Sequence, residues 1–192
     1  MTTSISQPIQ KLILRSLSLA LLNSLMVATP ELVAQKSTHN AAAHDPAPPE
    51  LVTKVREGTR KYTNVNNATA AGYGPFLGCV AGTDHGAMGV HYVNGTLLGN
   101  LTLDPAQPQA LVYEPVDGKL RLVAVEFILD AASWLAANNN TPPVLEGHVF
   151  NFVGAPNRFN IPSFFELHVW AWRDNPNGAF VDWNDTISCS GQ

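Results

Sequence analysis

The chain has 192 residues, of which 14% are charged, and a formal net charge of −4. That charged fraction is low against the roughly 25% of average soluble domains, and the 11 Lys and Arg residues form no stripe or run. Nucleic acid is therefore not an expected partner.

The first 34 residues have the order of a secretory signal. Lys11 and Arg15 precede an apolar run from Leu17 to Ala28, and small residues at Ala28 and Ala34 offer two cleavage points. A run of this length falls short of the roughly 20 residues of a membrane span, so no stable span is expected after cleavage. Residues 35–48 are small, polar and proline-bearing, and are expected to be a flexible leader carrying His39 and His44. Residues 49–192 then form one globular domain, long enough to bury a sizeable core.

Leu51, Val55, Gly58, Tyr62 and Val65 recur at helical spacing and predict a helix between Pro49 and Gly72, weakened around Asn64, Asn66 and Asn67. From residue 76 the texture changes to short apolar runs separated by Gly, Pro, Asn and Asp. Strands are predicted over residues 76–80, 87–94, 109–115, 120–129, 147–153, 164–172 and 179–184, with a second short helix over 130–139. Asp117-Gly118 signals a hairpin between two of the strands, and Pro176-Asn177-Gly178 signals a later turn. The predicted fold is α+β: a curved, mainly antiparallel or barrel-like sheet with one N-terminal helix packed outside it. An open sheet or a sandwich also satisfies the pattern; curvature or closure is favoured because several strands are apolar on both faces.

The two cysteines, Cys79 and Cys189, lie near the ends of the sheet region without metal-ligand spacing. In an exported chain they predict one structural disulfide.

Several polar residues interrupt apolar strands. Glu126 lies within "LRLVAVEFILD", where an unpaired carboxylate is expensive. In "SFFELHVWAW", period-two alternation puts Phe164, Glu166, His168, Trp170 and Trp172 on one face and Phe165, Leu167, Val169 and Ala171 on the other. Glu166 and His168 are then about 7 Å apart along the strand, near enough to reach one bound atom. His91 lies in the apolar strand "AMGVHYVN", His85 precedes it, His148 opens "GHVFNFV", and Glu114 lies in "LVYEP".

Imidazoles and carboxylates from different strands are the N and O donors that suit zinc, iron, manganese or copper. The expected ligands are His91, Glu126, Glu166 and His168, with His85 and His148 as further candidates, and any chemistry would be metal-assisted. The alternative is a metal-free pocket for a small apolar or aromatic ligand, walled by Tyr113, Phe164, Trp170 and Trp172 with Arg158 beside it. A second alternative is a polar core network in which imidazole and carboxylate satisfy each other and only specify the fold. No nucleophile elbow surrounds Ser163.

The blocks "MGVHYVN", "LVYEP" and "PNRFNIPSFFELHVWAWRDNPNGAFVDWN" together resemble those of a family of uncharacterised, exported bacterial proteins. The likeness covers about residues 60–190. It implies a periplasmic or secreted bacterial protein and carries no activity, ligand or catalytic residue with it.

Overall fold

The computed structural model describes residues 49–191. The signal and leader expectations, with His39 and His44, lie outside the described residues. No described helix is long and apolar enough to cross a membrane.

The predicted N-terminal helix forms as α1 (Glu50–Thr59), a 3-10 turn (Arg60–Thr63) and α2 (Val65–Ala70). The break falls at Asn64, whose side chain accepts from the amide of Asn66 and so caps α2. An N-cap side chain satisfies an amide that the helix itself cannot, which makes asparagine better at an end than inside.

Six strands form one open sheet: β1 (Tyr73–Ala81), β2 (Ala87–Asn94), β3 (Ala110–Val116), β4 (Lys119–Asp130), β7 (Asn151–Val153) and β8 (Phe164–Val169). Their order is β1-β2-β3-β4-β8-β7 and every pairing is antiparallel. The fold is therefore α+β with a mainly antiparallel sheet. It is not closed into a barrel, because β1 and β7 remain as edges. A separate two-stranded ladder joins β5 (Val144–Leu145) to β6 (His148–Val149). Two short helices, α3 (Gly95–Gly99) and α4 (Ala131–Ala137), follow β2 and β4. Asp130 caps α4 by accepting from the amide of Ser133.

The β3–β4 hairpin turns on Asp117 and Gly118, both at positive φ, as the Asp-Gly signal requires. Gly89, at φ +120°, is needed for close approach: a Cβ there would lie 2.6 Å from the carbonyl oxygen of Tyr113 on β3.

One face of the sheet carries the main core. Leu111 and Tyr113 from β3, Val125, Phe127 and Leu129 from β4, and Phe165, Leu167 and Val169 from β8 pack with Leu51, Val52, Val55 and Tyr62 of the helical segment. The opposite face is covered by the chain after β8, where Trp170 and Ile187 pack with Val112, Val123 and Ala124.

Three predicted strands differ from the observed chain. Residues 147–153 divide at Phe150, which is buried and donates its amide to Pro143, so β6 and β7 join different ladders. The strand at 164–172 ends at Val169, where the amide of Ala171 donates to the Val169 carbonyl and that of Trp172 to Val123. The tight turn inserts one residue and shifts the alternation. Residues 179–184 form no strand beyond a single bridge from Asn184 to Ala87. Side chains there take the backbone partners a ladder would use: Asn175 donates to the Trp183 carbonyl and Trp170 to that of Val181.

Cys79 and Cys189 form a disulfide across 110 residues, fastening the chain near its C-terminal end to edge strand β1.

Candidate metal centre

The face opposite the helices brings the interrupting polar residues together. Glu126 on β4 and His168 on β8 stand directly opposite each other in register, a placement that sets Cβ atoms about 5 Å apart. On the other side of Glu126, its β3 partner is Ala110, whose own β2 partner is Val93. His91 lies one row along, opposite Val112, which is paired in turn with Ala124. A strand separates β2 from β4, so the two backbones are roughly 10 Å apart. The small side chains of Ala110 and Ala124 leave the space in which His91 reaches across, and its Nε2 comes to 3.2 Å from Glu126 Oε2.

His91, Glu126 and His168 each offer one donor atom, and the three atoms lie within 4.8 Å of one another. Three donors bonded at about 2.1 Å to one tetrahedral ion lie about 3.4 Å apart, so the widest of these separations must close by roughly 1–1.5 Å on capture. All three residues are buried. His168 is 1% exposed and neither of its ring nitrogens has a hydrogen-bond partner. His91 Nδ1 and Glu166 Oε2 are buried without a well-formed hydrogen bond, although the Gly89 backbone lies near His91, and Glu126 and Asp182 near Glu166. A neutral imidazole carries one N–H, and leaving a polar group unpaired in the interior costs about 1–3 kcal/mol. Trp170 lies against His168 with ring centroids 5.0 Å apart, and His91 meets it edge-on at 6.0 Å.

Burial dominates the electrostatics. It lowers the pKa of His91 to about 4, against an opposing pull from the charge of Glu166. It lowers His168 well below the usual imidazole value, with His91 acting in the same direction. Both rings are therefore neutral at pH 7, the form that ligates metal. Burial also raises Glu126 and Glu166, and the charge of Glu126 raises Glu166 further. Two carboxyls near each other in a poorly solvated site cannot both ionise readily, so Glu166 keeps its proton more firmly.

Asp182 belongs beside this group and was not predicted. Its charge raises Glu126 and Glu166, and burial raises its own pKa while the Asn151 side chain, donating at 3.4 Å, opposes this. The signal was present as a carboxylate between Val181 and Trp183, the same anomaly that singles out Glu126.

The other expected site residues lie elsewhere. His85 is exposed and lines a shallow depression with Asp182 and Trp183. His148 stacks on Phe180 with centroids 3.8 Å apart. Neither joins the three-donor group. Glu114 stands opposite Arg121 near the β3–β4 turn. Tyr113 faces the helices, where its hydroxyl donates to the Tyr62 carbonyl, so it walls no pocket on the cluster face. Trp172 is also on the helix side, its indole donating to Thr59 Oγ1, because the turn after Val169 displaces it. Arg158 donates to the Ala81 carbonyl and lies over the rings of Phe159 and Trp183, so its guanidinium meets no cluster carboxylate.

An apolar cavity of about 350 Å³ opens beside the cluster, and Phe164 lines it while Trp170 does not. His91 and Glu126 belong to both cavity and cluster. No family model, curated protein or solved structure matches the chain.

Proposed function

We propose that the protein binds a divalent transition metal through His91, Glu126 and His168. The observation that carries this reading is His168, fully buried with both nitrogens lacking a partner beside a carboxylate and a second neutral imidazole. Two imidazoles and one carboxylate form a donor set used for zinc and for non-haem iron, and manganese and copper accept the same atoms. A network that merely specified the fold would be expected to satisfy its own members; here both ring nitrogens of His168 have no partner among the described residues.

When bound, such an ion supplies Lewis acidity and lowers the pKa of a coordinated water. The chain contributes a poorly hydrated setting, neutral imidazoles and, at Glu166, a proton held beside the donors. Glu166 is assigned to holding this proton and not to the first set of ligands, because it lies outside the three-donor group.

We also propose export to the bacterial periplasm or beyond, in keeping with the family likeness. The disulfide and the basic-then-apolar order of the first 34 residues support it. Intact mass of the mature protein tests this: a start after Ala28 or Ala34 is expected, and a full-length mature chain would count against it.

The metal test is elemental analysis of protein purified without chelator, beside a His168→Ala variant. Near-stoichiometric metal in the parent and its loss in the folded variant are expected. Absence of metal from the parent, even after dialysis against zinc or ferrous iron, would overturn the reading.

A further inference from the structure

The cavity beside the cluster is built unevenly. Phe76, Leu77, Met88, Ile128, Phe159 and Ile161 supply apolar wall from β1, β2, β4 and the loop before β8. Its polar side chains besides His91 and Glu126 are Asp130 and Ser163, and each already has one backbone partner. Asp130 accepts from the Ser133 amide and Ser163 Oγ from the Ala155 amide. Among the described residues no Lys or Arg lines the cavity. A ligand inside thus meets hydrocarbon along its length and finds polar atoms at one end, the edge where His91 and Glu126 lie 3.2 Å apart.

The mouth is apolar as well. Phe76 and Leu77 are 40% and 54% exposed at an irregularity in β1, where Leu77 and Gly78 adopt φ of 60° and 68°. A left-handed leucine is strained and persists only where the surroundings enforce it. Here the bulge presents exposed hydrocarbon that is also part of the cavity lining. The volume is near the lower end of the ~300–1,000 Å³ of small-molecule pockets, which sets the scale at one or two rings.

We infer that this cavity takes a small molecule with an aromatic or branched aliphatic body and one terminal oxygen donor, seated with that oxygen at the His91–Glu126 edge. The inference rests on the metal reading for the oxygen contact alone; the apolar body is argued from the walls. A polyhydroxylated ligand is disfavoured, since the walls offer it few polar partners. An organic cation suits the carboxylates only when no metal is present, because an ammonium has no lone pair to give an ion.

Three fluorescent probes of one shape separate these terms: 2-naphthol, 2-methylnaphthalene and 2-naphthylmethylammonium, titrated into zinc-loaded and metal-free full-length protein. Zinc content is measured in parallel. We expect 2-naphthol to bind the zinc form at least tenfold more tightly than the metal-free form, and 2-methylnaphthalene to bind both equally. Ile161→Trp and, independently, Leu98→Trp, at another residue of the cavity wall, should each weaken both probes at least tenfold while zinc content stays at the parent level. Retained zinc with no binding of either naphthalene would overturn this inference and leave the metal reading intact. Equal binding of 2-naphthol with and without zinc, or tighter binding of the ammonium than of 2-naphthol to the zinc form, would overturn the oxygen contact. Absence of zinc with probe binding that the two tryptophan variants abolish would overturn the metal reading and the oxygen contact while leaving the apolar body supported.

Discussion

On the helix-covered face of the sheet, the polar groups that enter the core find partners. The Tyr73 hydroxyl donates to the Pro108 carbonyl at 2.8 Å, Tyr113 to the Tyr62 carbonyl at 2.7 Å, and Trp172 to Thr59 Oγ1 at 3.0 Å. Thr59 in turn donates to the Val55 carbonyl. On the loop-covered face, two imidazoles and two carboxyls are buried and four of their atoms lack a well-formed hydrogen bond. The same strands build both faces, so the difference comes from alternate side chains along β4 and β8 and not from the backbone. One face is arranged for stability. The other retains buried polar groups whose cost its own hydrogen bonds do not offset, as functional sites commonly do.

The largest expected effect lies on the helix-covered face. Phe127 is fully buried in the main core, and Phe127→Ala should destabilise the protein by about 3–5 kcal/mol, read as a lower urea midpoint. A cost under about 1 kcal/mol would show that this face does not carry the stability assigned to it.

The reverse sign is expected on the other face. In chelator, His168→Leu should stabilise the protein by about 1–3 kcal/mol, because a buried group without a partner is replaced by hydrocarbon of similar size. The same variant should lose the rise in Tm that zinc gives the parent. Destabilisation in chelator would break the comparison and restore the self-satisfied network.

The pH dependence sharpens it further. Glu166 has a folded pKa raised above its unfolded value of 4.5, mainly by burial and then by the charge of Glu126. Its contribution is thus fully present below pH 4.5 and lost as pH rises through the folded value. The buried histidines, lowered from 6.5, act oppositely between their folded values and 6.5. Above pH 6.5 the carboxyls act alone, so the Tm of the metal-free protein should fall toward pH 9. Glu166→Gln should flatten that fall, and an unchanged slope would remove Glu166 from the account.

The smallest effect returns to the helix side. Tyr113→Phe removes one hydrogen bond to the Tyr62 carbonyl and should cost about 1 kcal/mol, without altering zinc content. A change in metal content would mean that the two faces are coupled.

The central strands were legible because β2, β3 and β4 are continuous apolar runs bounded by Gly, Pro and Asp-Gly signals. The cluster was legible for a related reason: His91, Glu126, Glu166 and His168 stood out as polar residues within such runs. Periodicity does not reveal where a strand ends in a tight turn, and Trp172 was therefore placed on the wrong face. Nor does it distinguish a strand from a segment held by side-chain-to-backbone bonds, which is how residues 179–184 were misread and Asp182 was overlooked. Aromatic character alone assigns Tyr113 to the pocket, but it alternates with Val112 and shares the helix-covered face with Leu111.

The disulfide has a consequence in the time order of synthesis. Cys79 emerges before His91, Glu126, Glu166 and His168, and Cys189 after all of them. At about 5–20 residues per second, the first thiol waits roughly 5–20 s for its partner. Through that interval the growing chain carries a cysteine whose register partner, Val90, is the neighbour of His91. In an exported chain the wait is longer still, because its thiols are oxidised only after it leaves the reducing cytosol, so the order of oxidation and metal loading becomes a variable of biogenesis.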